Sequence, residues 1–253
     1  MNGRRIAILA LIAGSSLGGT CQGDGSAGFG GVPRETIPLG GNTFGPVIAG
    51  NVFEYTMVLD NATNGVHAEG AVSILTVPYE DSHVSNAVAE VWTVQSQHRT
   101  QYGMPIEPVV GTVTSVYKHD AQGFASLIVA EGEDGTMRYV TTPEAGYLCC
   151  PEGGKIEVGL AFSSGPVRFD DGSTLASSYV VTAVEVVDVP FGRFEAFRLE
   201  ANTTTTNASG SEVTDGTEWV HPSVGIVRMD VTHRSGVGVM TTTIELVSTN
   251  VEL

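Results

Sequence analysis

From about residue 45 onward, apolar and polar residues alternate with a period of two along much of the chain. Between positions 197 and 204, for example, Arg198, Glu200 and Asn202 alternate with Phe197, Leu199 and smaller residues. This period is typical of a β-strand with one buried and one solvated face. The same stretches are rich in valine, threonine and isoleucine, which favour strands. The pattern therefore predicts an all-β protein.

Glycine, Asp-Gly, asparagine and proline signals separate these stretches and mark their ends. The predicted strands cover 52–60, 67–77, 89–98, 109–119, 123–130, 136–141, 155–162, 167–169, 174–187, 194–206, 212–219, 225–234 and 237–247. Little helix is expected, with short candidates only at 85–89 and just after Arg34. Because most turns are short, consecutive strands should be antiparallel neighbours.

A sheet of about a dozen strands must curl, close or split into two layers. We therefore expect one β domain over residues 45–253, with a curved antiparallel sheet forming an open barrel or half-barrel. A β-sandwich is the alternative.

The first twenty residues predict a signal peptide. Arg4 and Arg5 precede an apolar segment, 6–13, which is too short to span a bilayer, and small residues follow it. An exported protein of the bacterial cell envelope is therefore expected.

Cys21 directly follows this segment, in a Leu-Gly-Gly-Thr-Cys sequence that resembles the lipid-acceptor site of bacterial lipoproteins. The residues after it are rich in glycine and predict a flexible tether over 21–44. We expect a membrane anchor through acylated Cys21. The alternative is cleavage before the tether, which would leave a soluble periplasmic or secreted protein.

Charge excludes one class of partner. The chain has 12 basic and 28 acidic residues, a formal net charge of −16. Such a surface repels phosphate, so nucleic acid is not an expected partner.

The two remaining cysteines, Cys149 and Cys150, are adjacent. An exported protein permits a vicinal disulfide between them. On a strand, however, adjacent side chains point to opposite faces, and two free thiols are the alternative.

No motif for catalysis or for a metal is found. The six histidines form no His-x-x-x-His pair, and no serine lies in a Gly-x-Ser-x-Gly elbow. The acidic turns at 131–135 and 170–173 lack the spacing of a calcium-binding loop. We therefore expect no cofactor and a non-catalytic binding or structural role. The alternative is a secreted hydrolase whose residues converge only in the fold.

Two stretches carry a family resemblance. The first, 187–200, contains Pro190-Phe191-Gly192, and the second, 218–228, contains Trp219 and the Pro222-Ser223-Val224-Gly225 segment. Together they resemble the carboxy-terminal half of uncharacterised bacterial envelope lipoproteins called TapB-like, although Ser223 replaces a glycine of that pattern. The resemblance covers about 155–250.

This family is similar in turn to the lipoprotein-carrier (LolA/LolB-like) fold, a curved sheet around an apolar interior. The resemblance implies structural roles: Pro190 and Gly192 form one turn, and Pro222 and Gly225 form another that places the Trp219 indole over the apolar face. It also suggests an apolar ligand in the concavity, and an interior filled by side chains is the alternative.

Overall fold

A computed structural model describes residues 35–42, 48–100, 102–106, 108–119, 125–131, 135–142, 147–149, 155–208, 210–235 and 238–252. The predicted signal peptide, Cys21 and Cys150 lie outside these residues.

The described residues form strands and turns, without a helix. The strands are β1 (Thr36–Ile37), β2 (Val52–Asn61), β3 (Val66–Tyr79), β4 (Ala87–Arg99), β5 (Val109–His119), β6 (Ala125–Glu131), β7 (Met137–Tyr139), β8 (Tyr147–Cys149), β9 (Ala161–Arg168), β10 (Thr174–Asp188), β11 (Arg193–Asn207), β12 (Gly210–His221), β13 (Gly225–Ser235) and β14 (Gly238–Thr249).

All of these strands belong to one sheet, in the order β7-β6-β5-β4-β3-β2-β14-β13-β12-β11-β10-β9. Neighbours along this path are antiparallel, and β8 also pairs antiparallel with β6. β1 pairs in parallel with the start of β11. Each half of the path is a meander of hairpins, as short turns require. β2 and β14 join the two halves. The all-β prediction with an open curved sheet is confirmed.

The curved sheet brings its two ends, β7 and β9, close together without a continuous ladder. A single bridge joins Val140 to Phe169. Beside it, Thr141 N donates to Arg168 O at 2.7 Å and Asp170 N donates to Tyr139 O at 3.0 Å. The Arg138 guanidinium lies 4.8 Å from the centre of the Phe169 ring. Because this contact spans only a few residues, the sheet remains open.

The concave side is filled by side chains from both halves of the sheet. Tyr55 and Trp92 from one half share a single buried cluster with Tyr179, Phe197 and Leu199 from the other. Tyr55 also donates its hydroxyl to Ile226 O at 3.0 Å, so the one polar atom of this ring has a partner in the core. Burial of these large rings is the main contribution to the stability of the fold.

Three local predictions were wrong. The alternation of residues 155–160 indicated a strand, yet this segment contains a turn in which Leu160 N donates to Glu157 O. Strand β9 begins only at Ala161. It continues to Arg168 and so includes most of the separate strand predicted at 167–169. Ile156 is buried while Val158 is 54% exposed, so alternation here reflects a loop that packs one residue inward. The helix expected at 85–89 is absent because Asn86 has φ 55° and β4 starts at Ala87. The segment after Arg34 forms β1 rather than a helix.

Candidate functional site

The outward face of β10–β14 carries a groove of about 570 Å³. Its walls are two rows of outward side chains that follow the cross-strand register. One row consists of Val180, Glu200, Thr217, Asp230 and Thr243, and the other of Ser178, Asn202, Asp215, Thr232 and Thr241. Between the rows, Val231 directs its side chain to the concave face and Gly216 has no side chain, so the backbone at these positions forms the floor.

Each carboxylate of the groove has an arginine partner. Arg198 Nη2 lies 2.7 Å from Glu200 Oε1. Arg228 Nη2 lies 2.9 Å from Asp230 Oδ2. The third carboxylate, Asp215, pairs with Arg234 across the hairpin. Half-exposed pairs of this kind add little stability. Their main effect is to compensate the negative charge inside the groove.

Neutral side chains extend this polar network. Asn202 Nδ2 donates to Asp215 Oδ1 at 2.6 Å. Thr217 Oγ1 donates to Glu200 Oε2 at 3.1 Å. The wall therefore presents adjacent donors and acceptors, held in place by hydrogen bonds across neighbouring strands. Such a surface can bind a polar ligand without a large rearrangement of its side chains.

Trp219 lies on the same face as the groove, beyond Thr217. Its cross-strand neighbours are Arg198 and Arg228, and the Arg228 guanidinium lies 5.1 Å from the centre of the indole. Trp219 Nε1 donates to Glu185 Oε1 at 2.5 Å. The half-buried indole also packs against the edge of the core cluster. The indole thus lies on the face that carries the groove, between the inward Glu218 and Val220, and the sequence did not indicate its two arginine neighbours. Its stabilising role stays a prediction.

The turn residues lie where the sequence predicts turns. Pro190 and Gly192 are in the β10–β11 turn, in which Val189 N donates to Gly192 O at 2.9 Å. A Cβ on Gly192 would lie 3.4 Å from the Phe194 ring. Pro222 and Gly225 are in the β12–β13 turn, and Gly225 has φ +89°. That conformation favours glycine.

His221, beside the β12–β13 turn, holds residues 35–42, the amino-terminal lead-in to the sheet, against the fold. His221 Nε2 donates to Pro38 O at 2.9 Å, and its Nδ1 accepts from Ser223 N at 3.3 Å. The ring packs edge-on against Phe194. Burial lowers the pKa of His221 below its ordinary value, while the Pro38 hydrogen bond opposes this shift. Residues 35–42, within the predicted tether, thus pack onto the fold.

Two carboxyl groups face the interior instead of the solvent. Burial raises the pKa of Glu218 to about 8, and its Oε2 has no hydrogen-bond partner among the described residues. Burial also raises the pKa of Glu90 to about 7, although hydrogen bonds from Trp92 and Tyr117 favour the charged form. The sequence contained one indication that Glu218 is buried: it lies two positions before Val220 on β12, so the side chains of both residues point to the same, inward face.

One hydroxyl–histidine–acid group lies in the turn after β3, where all three residues are adjacent. Ser82 Oγ lies 2.9 Å from His83 Nδ1, and Asp81 Oδ1 lies 4.0 Å from the same nitrogen. A catalytic relay needs the hydroxyl and the acid on opposite nitrogens. Asp81 Oδ2 instead accepts hydrogen bonds from Tyr79 and Tyr139, each at 2.8 Å. This cluster therefore connects the β3 end of the sheet to β7.

A second group joins Thr214, His233 and Glu212. Thr214 Oγ1 lies 3.2 Å from His233 Nδ1, but His233 Nε2 lies 3.9 Å from Glu212 Oε2, too far for a hydrogen bond. The His233 ring is buried and does not line the groove. In the acidic turn at 170–173, Asp171 Oδ1 already accepts from Ser173 N at 2.8 Å. The described part of the chain contains no group of three or more metal-ligating side chains.

Two sequence-predicted sites are not tested by this geometry. Cys149 lies in β8, but Cys150 and Cys21 lie outside the described residues. The vicinal disulfide and the lipid anchor therefore stay predictions. Within the described ranges, no helix has the length and apolar character needed to cross a bilayer.

Comparison with known proteins gives distant likenesses. No protein-family model matches the chain. A segment is 26% identical over 81 residues to P2X receptor D of Dictyostelium discoideum, and it covers 31% of this chain. It spans only 20% of that receptor's length.

Three crystal structures are similar in outline. One, described as an exported protein with a YmcC-like fold from Bacteroides fragilis, is 13% identical with a TM-score of 0.36 and covers 83% of this chain and 99% of that one. A lipoprotein from Parabacteroides distasonis is 14% identical with a TM-score of 0.33, covering 82% and 98%. The lipoprotein YmcC from Escherichia coli is 12% identical with a TM-score of 0.33, covering 78% and 84%. At these values no property of the three proteins carries over to this chain.

Proposed function

We propose that this chain is an exported envelope protein, anchored through acylated Cys21, whose β domain is a non-catalytic binding module. The groove on β10–β14 is its binding surface. The observation that carries the proposal is the groove itself, which is preformed, about 570 Å³ in volume and lined with hydrogen-bonding side chains. The signal segment and Cys21 support export and anchoring.

The lining of the groove favours binding over catalysis. Its hydroxyl groups belong to threonines and one serine, and its lining residues include no histidine, lysine or cysteine. A hydroxyl nucleophile needs an adjacent base. The carboxylates of the groove are occupied by arginine partners and by Asn202 or Thr217.

The point at which the described chain enters the sheet lies apart from the groove. The lead-in enters the sheet where Thr36 pairs with Arg193, at the start of β11. Glu200 lies seven residues further along β11, about 24 Å away at the rise of an extended strand.

An apolar ligand on the concave face is the competing proposal. Such a ligand would have to displace the rings of Trp92, Tyr179 and Phe197, which belong to one buried cluster that both halves of the sheet share. Loss of such packing costs several kcal/mol for each large side chain, about 3–5 kcal/mol. The outward groove requires no such displacement.

Native mass spectrometry of the protein purified from its own membrane tests this function. We expect acyl mass on Cys21, loss of membrane association in Cys21→Ser, and a polar ligand whose occupancy falls in Asn202→Leu. The matched control, Thr112→Val, changes an exposed residue of β5 outside the groove. A co-purified lipid unaffected by the groove variant would favour the concave face, and an unacylated mature chain would overturn the anchor.

A further inference from the structure

The groove has a composition that selects one class of ligand. We propose that it binds an uncharged glycan chain laid across the strands, an inference that rests on the proposed binding function. The argument uses the length of the groove, its charge balance and the arrangement of its donors and acceptors.

The groove is elongated in the direction across the strands. Its two walls each take one residue from β10, β11, β12, β13 and β14. Neighbouring strands lie about 4.8 Å apart, so five strands give a groove about 19 Å long. A ligand that uses this length is a linear chain with several repeating units, rather than a single small metabolite.

Charge balance excludes most ionic chains. Glu200, Asp215 and Asp230 are each paired with an arginine, so an ionic ligand finds no unpaired charge in the walls. The net charge of −16 repels an anionic polymer at longer range. A cationic chain would have to displace Arg198 and Arg234 from the carboxylates of Glu200 and Asp215. Arg228 would keep only its second partner, Glu245. An uncharged chain meets neither obstacle.

The walls match a chain of hydroxyl groups. A sugar hydroxyl both donates and accepts, and adjacent hydroxyls need a donor beside an acceptor. The Asn202–Asp215 and Arg198–Glu200 pairs each present a donor beside an acceptor. Threonine adds a hydroxyl and a methyl group at the same position, which suits the mixed polar and apolar surface of a sugar ring. Val180, 43% exposed, adds apolar contact at one end.

A flat protein surface is a poorer occupant. Protein interfaces have an apolar, desolvated centre, whereas the centre of this groove is formed by Thr217, Asp215 and backbone. The larger exposed apolar side chains, such as Tyr102 and Met104, lie in the β4–β5 loop and not in the groove. The wall chemistry therefore favours the glycan.

The test is a binding titration of the full mature protein in detergent. The probes are a set of neutral hexose and N-acetylhexosamine oligosaccharides of two to eight units, with polygalacturonate as the anionic comparison. We expect saturable binding of at least one neutral chain, with affinity that rises with length up to the span of the groove. Thr217→Val and Thr232→Val should each weaken it about threefold to tenfold, the effect of one lost hydrogen bond. Thr112→Val should leave it unchanged.

Each outcome separates this inference from the proposed function. No saturable binding to any neutral chain, or tighter binding of polygalacturonate, overturns the glycan assignment. If a polar ligand from the native membrane still depends on Asn202, the binding function stands. Equal loss in Thr217→Val and Thr112→Val overturns the placement in the groove. A probe shortened during incubation supports the glycan and overturns the non-catalytic role.

Discussion

Glu218 gives the most direct test of the interior described above. Its side chain is 1% exposed, its Oε2 has no partner among the described residues, and burial raises its pKa to about 8. At neutral pH the folded protein therefore holds this carboxyl in the protonated form, while the unfolded chain ionises it near the ordinary value of 4.5. Folding stability must then depend on pH through this one group.

The sign follows from the direction of the shift. The folded-state pKa lies above the unfolded-state value, so between pH 4.5 and about 8 the folded protein binds more protons than the unfolded chain. The stability that Glu218 contributes is therefore fully present below pH 4.5 and is lost as the pH rises through this window. A shift of this size corresponds to about 5 kcal/mol, comparable to the lower end of total domain stability. Glu90 adds a smaller effect of the same sign between pH 4.5 and about 7.

The perturbation is Glu218→Gln, which replaces the protonated carboxyl by a neutral group of the same shape. At pH 5 the variant should match the wild type within about 1 kcal/mol, since both side chains are uncharged and buried. At pH 9 the variant should be more stable by several kcal/mol, because the wild type must bury a charge or lose its fold.

Urea unfolding at pH 5, 7 and 9, followed by tryptophan fluorescence, measures this difference. Glu80→Gln, at an exposed position before β4, is the matched control and should shift stability equally at all three values. A Glu218→Gln variant whose advantage does not grow with pH would refute the reasoning. In that case the carboxyl would have a partner or solvent access in the folded protein.

Three further changes test other parts of the fold. Trp219→Ala should lower the free energy of unfolding by about 3 kcal/mol, the low end for a deleted tryptophan because the indole is half-buried, and Trp219→Phe should lower it much less. An unchanged urea midpoint together with lost glycan binding would make Trp219 a binding residue instead. Asp81→Ala removes the acceptor shared with Tyr139 and should increase hydrogen exchange in β7, whereas unchanged exchange there would show that the bridge to Phe169 suffices. The lowered pKa of His221 makes its protonation unfavourable in the folded state, so wild-type stability should decline as the pH falls below about 6.5. His221→Gln should remove this decline. Calorimetry at pH 5 and 7 that shows the same decline in both proteins would contradict the prediction.

Much of the fold could be predicted from local sequence patterns. The predicted strand 109–119 coincides with β5, and Pro190–Gly192 and Pro222–Gly225 lie between strands, at the turns that the family resemblance implies. Strand alternation and turn chemistry act over a few residues, so they are visible without knowledge of the partner strand. Residues 155–160 show the limit, because a loop that packs Ile156 inward produces the same alternation as a strand.

Other features were decided by tertiary structure. Alternation alone places Arg198 and Glu200 on one face, but only the pairing of β11 with β12 brings Glu200 beside Thr217. The same holds for Asp215 and Arg234, and for β2, which pairs with β14 at the far end of the chain. Register and sheet closure depend on contacts between distant residues, which a local pattern does not encode. For this reason the amino-acid sequence alone predicted the strands and their turns, whereas the groove, the buried Glu218 and the filled interior exist only in the assembled sheet.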